Sequence, residues 1–257
     1  MNVLRSPLLS GTSHGFSTRL GGVSSGRYAT LNLSTSWGDE ASAVAENRCR
    51  VAKAGGFDGE RLYLARQVHG AVCARVDGHT PAELRGVEAD ALVATTAGSA
   101  VGVLTADCVP ILFSDGEGRV AAAHAGWRGT VAGVAAAALE KLVVSGARRE
   151  RVRAALGPSI GPCCFEVGEE VAAAFESLAP ASIVRGPGKP HVDLRRANRD
   201  LLMAAGLGSE QIDATAPCTY CERERFFSYR RDGRGIGQIL SFIVVGHVVG
   251  NVANPRT

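Results

Sequence analysis

The chain has 257 residues, 46% of them apolar and 21% charged, with a formal net charge of +3. That balance excludes a disordered chain, and no basic run marks a nucleic-acid or membrane surface. No run reaches the ~18 apolar residues of a membrane helix, the first residues lack a signal-peptide core, and seven cysteines is an odd number, so a cytoplasmic protein with reduced thiols is expected.

In chain order, residues 15–26 (GFSTRLGGVSSG) read as a Gly/Ser-rich loop that carries Arg19. Asp39 is placed to cap a helix that stops near Gly55. Residues 62–68 and 71–76 predict strands, with His69-Gly70 between them. Residues 91–94 and 101–104 predict two more. Extended structure resumes over 109–113 after an interruption at Asp107-Cys108, and 120–123 is a short apolar strand ending at His124. Helical spacing over 130–144 places Val131, Val134, Ala135, Ala138, Leu139, Leu142 and Val143 on one face. Arg148, Arg149, Arg151 and Arg153 read as a solvated turn before a strand at 152–156. Helices follow at 168–178 and 193–205, and 226–249 is strand-rich. Strands and helices alternate throughout, which predicts a mixed α/β fold and one domain over residues 1–257.

Three residues fall at strand ends in apolar surroundings: His69, Cys108 and His124. Imidazole and thiolate suit Zn²⁺, and three protein ligands leave a fourth position open, as in a catalytic zinc centre. Taken singly, each reads as a structural residue. Their spacing is no zinc-finger pattern, so the local contexts QVHG, TADCVP and HAGWRG carry the argument. In HAGWRG, Gly126 and Gly129 flank Trp127-Arg128 before a helix. The turn either binds an anion through N–H groups and Arg128 or is a plain strand-to-helix connection.

Other chemistry-bearing residues divide less sharply. Cys163-Cys164 and Cys218-x-x-Cys221 invite a four-Cys zinc site, or a redox pair at Cys218 and Cys221, but adjacent cysteines seldom share one metal and no thioredoxin-like unit surrounds the pair, so packing is the expectation. In FFSYRRDGRG, Phe226 or Phe227 could stack on a base, although a core strand is the expectation for both, and Arg230 is a phosphate candidate. His14, His79, His191 and His247 have no partner pattern.

Read together, GFSTRLGGVS, LNLS, QVHG, EADALV, TADCVPIL, HAGWRGT, LGPSIGPCCFEVG, VDLRRAN and FFSYRRDG resemble, nearly end to end, the YfiH-like family. Its members are also known as laccase-domain or polyphenol oxidase proteins and as purine nucleoside phosphorylases. The resemblance implies a sandwich of mixed sheets flanked by helices. It implies zinc held by His69, Cys108 and His124, with Arg19 in the active site. It also implies phosphorolysis of adenosine, inosine and methylthioadenosine, with adenosine deamination as a second activity. Purine nucleoside and phosphate are then the expected small-molecule partners. Phosphate would be met by Arg19, Arg128 or Arg230, and Asp107 is a candidate proton donor to the departing purine. The chain departs from the family at Gly237-Gln238, where a Gly-Arg pair is usual.

Two rival readings remain open. A copper polyphenol oxidase would need a His-rich trinuclear cluster, and six histidines are too few for one; a single Cu²⁺ site is the most they allow. A metal-free Cys–His hydrolase acting on an amide of a cell-wall precursor would use Cys108 as nucleophile and His124 as base. Asp107 or His69 would orient that base.

Overall fold

The period-2 alternation of strand side chains divides the apolar residues of this chain between two cores. In the computed structural model, which describes residues 3–246, the strands are β1 (Val3–Leu4), β2 (His14–Ser17), β3 (Leu62–Tyr63), β4 (Cys73–Arg75), β5 (Ala91–Ala94), β6 (Ala100–Thr105) and β7 (Val109–Ser114). They continue with β8 (Val120–Ala125), β9 (Arg153–Leu156), β10 (Ile183–Val184), β11 (His191–Val192), β12 (Ile212–Asp213) and β13 (Ile239–Val244). The helices are α1 (Ala41–Gly55), α2 (Pro81–Leu84), α3 (Trp127–Val131), α4 (Val134–Val144), α5 (Glu169–Glu176), α6 (Leu194–Ala204) and α7 (Tyr229–Asp232).

One sheet runs β1-β2-β13-β6-β3, and a second runs β12-β9-β7-β8-β5-β4. Most neighbours are antiparallel; β3 with β6, β4 with β5 and β12 with β9 are parallel. Phe16, Val101, Val103 and Ile243 of the first sheet pack on Leu92, Leu112, Val120 and Ala122 of the second. Ile111 and Phe113, on the other face of β7, meet Leu139 of α4, Phe175 of α5 and Leu202 of α6. Leu240 and Phe242, on the outer face of the first sheet, meet Val51 of α1. The result is a sandwich of two mixed sheets flanked by helices, as expected. Each Leu or Phe buried in it stabilises the fold by about 1.5–3 kcal/mol.

The element boundaries differ from expectation at several informative places. The strand predicted over 62–68 stops at Tyr63, because the main chain of Arg66 then pairs with Val87 and Ala89 and leaves the β6 ladder. The helix predicted over 130–144 is two helices. They part at Gly133, whose φ of 85° is left-handed and open chiefly to glycine. Glu40, not Asp39, occupies the N-cap of α1, while the Asp39 carboxylate accepts from Ser24 and Asn32. Of the strand-rich stretch 226–249, only β13 forms among the described residues: Ser228 caps α7, and residues 247–249 with His247 lie outside the described residues. All seven cysteines carry free thiols. Among the described residues, no helix is long and apolar enough to cross a membrane.

Candidate metal centre

The second sheet brings His69, Cys108 and His124 together. β8 carries His124 near its end, buried, while Cys108 occupies the turn by which the chain crosses from β6 in one sheet to β7 in the other. His69 sits in the loop between β3 and β4. The three ligand atoms lie within 4.8 Å of one another, and Cys108 Sγ is 4.0 Å from His69 Nε2. The two imidazole rings meet edge to face, with centroids 4.8 Å apart.

Backbone strain marks the two ligand loops. His69 has φ 61° and Asp107 has φ 95°, both in the left-handed region that non-glycine residues avoid. At His69 a carboxylate holds the conformation. Asp90, just before β5, accepts the N–H groups of Val68, His69 and Gly70 at 2.7–3.1 Å. Its Oδ1 also lies 2.8 Å from His124 Nδ1, and its main-chain oxygen accepts the His124 N–H. With Nδ1 engaged, Nε2 of His124 is left for a ligand; an imidazole oriented by a carboxylate is the usual support of a metal-binding histidine. Gly126 closes the site, since a Cβ there would stand 2.9 Å from both Cys108 Sγ and His69 Cδ2.

Burial alone would disfavour every charge here, yet the neighbours outweigh it. Burial opposes the Cys108 thiolate, but the imidazoles of His124 and His69 bring the thiol down to about 6. Burial opposes the His124 imidazolium, but Cys108 and Asp90 push it up to about 9. Burial likewise opposes the Asp90 carboxylate, but His124 and the N–H groups of Gly70 and Val68 hold it below the usual carboxylate range. Without a metal, these neighbours favour a thiolate–imidazolium pair. Peptide-mapped alkylation of the metal-free protein should show it. Cys108 stays reactive at pH 7, and its rate falls as pH drops through about 6, where the thiolate takes up its proton. A midpoint at the ordinary thiol value of about 8.5 would mean that no such pair forms.

The other expected site residues fall around this centre. Asp107 adjoins Cys108, and its carboxylate accepts from Thr219 Oγ1, Ser228 Oγ and the Arg230 N–H at 2.6–3.0 Å. Burial raises its pKa against those three bonds. The Arg230 guanidinium is exposed and bonds the carbonyls of Cys164 and Glu166. Arg128 is exposed at the start of α3 and lies 4.2 Å over the ring of Trp127. Arg19 lies 4.6 Å over Phe227 and donates to the carbonyls of Ala29 and Arg223. Phe226 and Phe227 are buried core residues, as expected. Gln238 bonds through its main chain, its N–H to Asn32 Oδ1 and its carbonyl to the Leu33 N–H.

Two expectations are corrected. The group that orients His124 is neither Asp107 nor His69 but Asp90, which the sequence alone does not single out. The one available signal is an acid at the mouth of an apolar strand, the second of the two in EADALV. The four cysteines at 163, 164, 218 and 221 are also not packing residues. Cys163 and Cys221 are exposed, and the four sulfurs cluster.

Known proteins resemble this chain in sequence and in fold. A family model described as multi-copper polyphenol oxidoreductase laccase matches residues 13–246. A purine nucleoside phosphorylase of Deinococcus radiodurans is 40% identical over 259 residues, covering 99% of this chain and 97% of that one. An enzyme named adenosine deaminase RL5, from an unknown prokaryote, is 42% identical over 244 residues, covering 89% and 92%. The crystal structure of YlmD from Geobacillus stearothermophilus superposes with a TM-score of 0.87 at 34% identity, covering 96% of this chain and 97% of that one.

Proposed function

Because the chain belongs to the YfiH-like, laccase-domain family, we propose that it is a zinc-dependent purine nucleoside phosphorylase that also deaminates adenosine. Inosine, adenosine and methylthioadenosine are the nucleosides it would take. The observation that carries this reading is the convergence of His69, Cys108 and His124 with Asp90 behind His124. Two imidazoles and a low-pKa thiol are the donor set of a zinc site with an open position, so the residues fit the ion. Zinc held there would supply Lewis acidity.

The chain's own groups would do the rest. Arg19, Arg128 and Arg230 are the cations available to phosphate, and Arg128 is exposed four residues after His124. A phosphate held beside the ribose offsets the positive charge that develops there as the purine leaves. Asp107 is assigned a positioning role in place of proton donation, because three donors already engage its two oxygens and tie it to the loops bearing Thr219 and Arg230.

Incubation with inosine or adenosine should yield free base and ribose 1-phosphate only when phosphate is present. Base release at the same rate without phosphate would overturn phosphorolysis. A second reading has one observation in its favour. Without metal, Cys108, His124 and Asp90 stand in the order nucleophile, base and orienting acid, which suits a Cys–His hydrolase acting on an amide. Activity that survives complete zinc removal would favour it. A copper polyphenol oxidase finds less support. Among the described residues, the groups able to hold a metal are two, and only one of them contains histidine.

A further inference from the structure

A second group of ligands has no part in the reaction proposed above. Cys163 and Cys164 lie in the turn that follows β9, and Cys218 and Cys221 in the loop that follows β12. These segments are far apart in sequence. They meet because Ser159 and Cys218 form a parallel β-bridge that continues the pairing of β9 with β12. Cys164 Sγ is 3.4 Å from Cys221 Sγ and 3.5 Å from Cys163 Sγ, and Cys163 Sγ is 3.6 Å from Cys221 Sγ. All four sulfurs lie within 4.8 Å of one another.

Those separations are near what a tetrahedral zinc requires. With Zn–S bonds of about 2.3 Å, the sulfurs of a tetrathiolate stand about 3.8 Å apart. One of the sulfurs also has a main-chain partner. The Gly161 N–H donates to Cys218 Sγ at 3.2 Å, the kind of hydrogen bond that supports a metal-bound sulfur. Arg195 bonds the carbonyls of Ala216 and Pro217, and Arg230 bonds those of Cys164 and Glu166, so a guanidinium lies against each loop. Two half-buried and two exposed thiols contribute little to the core, so packing does not account for the cluster.

We propose that Cys163, Cys164, Cys218 and Cys221 bind a structural zinc ion that clamps these two loops together. Four protein ligands leave no open position, so the ion takes no part in chemistry. Its consequence is positional. The clamped loops carry the Ile160 N–H and the Thr219 hydroxyl, which donate to the Asp107 carbonyl and carboxylate beside Cys108.

The test is metal content and thiol reactivity of the full-length protein purified from cells. Cys221→Ser and Cys164→Ser should each carry one zinc ion fewer than wild type, whereas Cys49→Ser, altered on the surface of α1, should lose none. Cys108→Ala must keep this zinc whether or not the His69 centre binds one, so the two sites fail independently. Loading the metal-depleted Cys108→Ala protein with Co²⁺ should give the intense thiolate-to-cobalt absorption of a tetrathiolate. In case the serine variants do not fold, wild type answers alone. Its four clustered thiols should resist alkylation until a chelator removes zinc, and then react together. Free reaction before chelation, or a disulfide between any two of them in the native protein, would overturn the proposal.

Discussion

Cys108→Ala should abolish phosphorolysis and deamination together. The thiolate is the one anionic ligand of the three, and against the cost of burial His124 owes its raised pKa in large part to that sulfur. An alanine leaves two imidazoles, an ordinary weak pair for zinc, and removes the charge that balances a divalent cation. Because a Lewis-acid centre stabilises developing charge by several kcal/mol, both rates should fall about a thousandfold or more. The fold should survive, since Cys108 lies in a turn and is only half buried. Assays of ribose 1-phosphate and of ammonia on the same preparation, with circular dichroism as a control, measure all of this. Retention of either activity would separate the two reactions and end the idea of one shared site.

Asp90→Ala is expected to be the most damaging change outside the ligands themselves. It deletes the acceptor for three successive N–H groups and for His124 Nδ1 in one step. The Asp90 and His124 side chains are almost fully buried, and removing one partner of a buried pair costs about 3–5 kcal/mol. The left-handed His69 also loses the anion that holds it, so metal affinity should drop by about 10–100-fold. Asp90→Asn keeps the shape and one acceptor oxygen while removing the charge. It should recover only part of the thermal stability, because its NH2 takes the place of an oxygen that accepts two donors, and little of the zinc affinity. The Asp90 carboxyl is held below its usual range, so its contribution is present above its unfolded pKa and is lost as pH falls through the folded value. Wild-type metal affinity in Asp90→Ala, measured by competition with a chelating dye, would remove Asp90 from the centre.

The readable part of this molecule is what local pattern dictates. The apolar runs of β5, β7 and β8 and the helical stretch that becomes α6 declare themselves in the sequence, and the structure has them within a residue or two. The three candidate metal ligands are readable only through their contexts. What stays hidden depends on contacts between distant segments. Asp90 gains its meaning only when β5 pairs with β8 and sets it against His124, 34 residues on. The four clustered cysteines, likewise, look like filler until the β9–β12 pairing brings their loops together. Gly133 shows the opposite limit: an unbroken apolar period over 130–144 conceals a break that one backbone dihedral imposes.

The position of β13 bears on how the protein is made. This strand follows every other described strand in the chain, yet it lies between β2 and β6, pairing with both. A ribosome therefore delivers the middle of the first sheet last. Until it emerges, β2 and β6 present unpaired edges to each other and to any passing chain. The second sheet, whose strands are all synthesised earlier, can assemble during that wait with its ligand-bearing β8 in place, leaving the final insertion to close the sandwich.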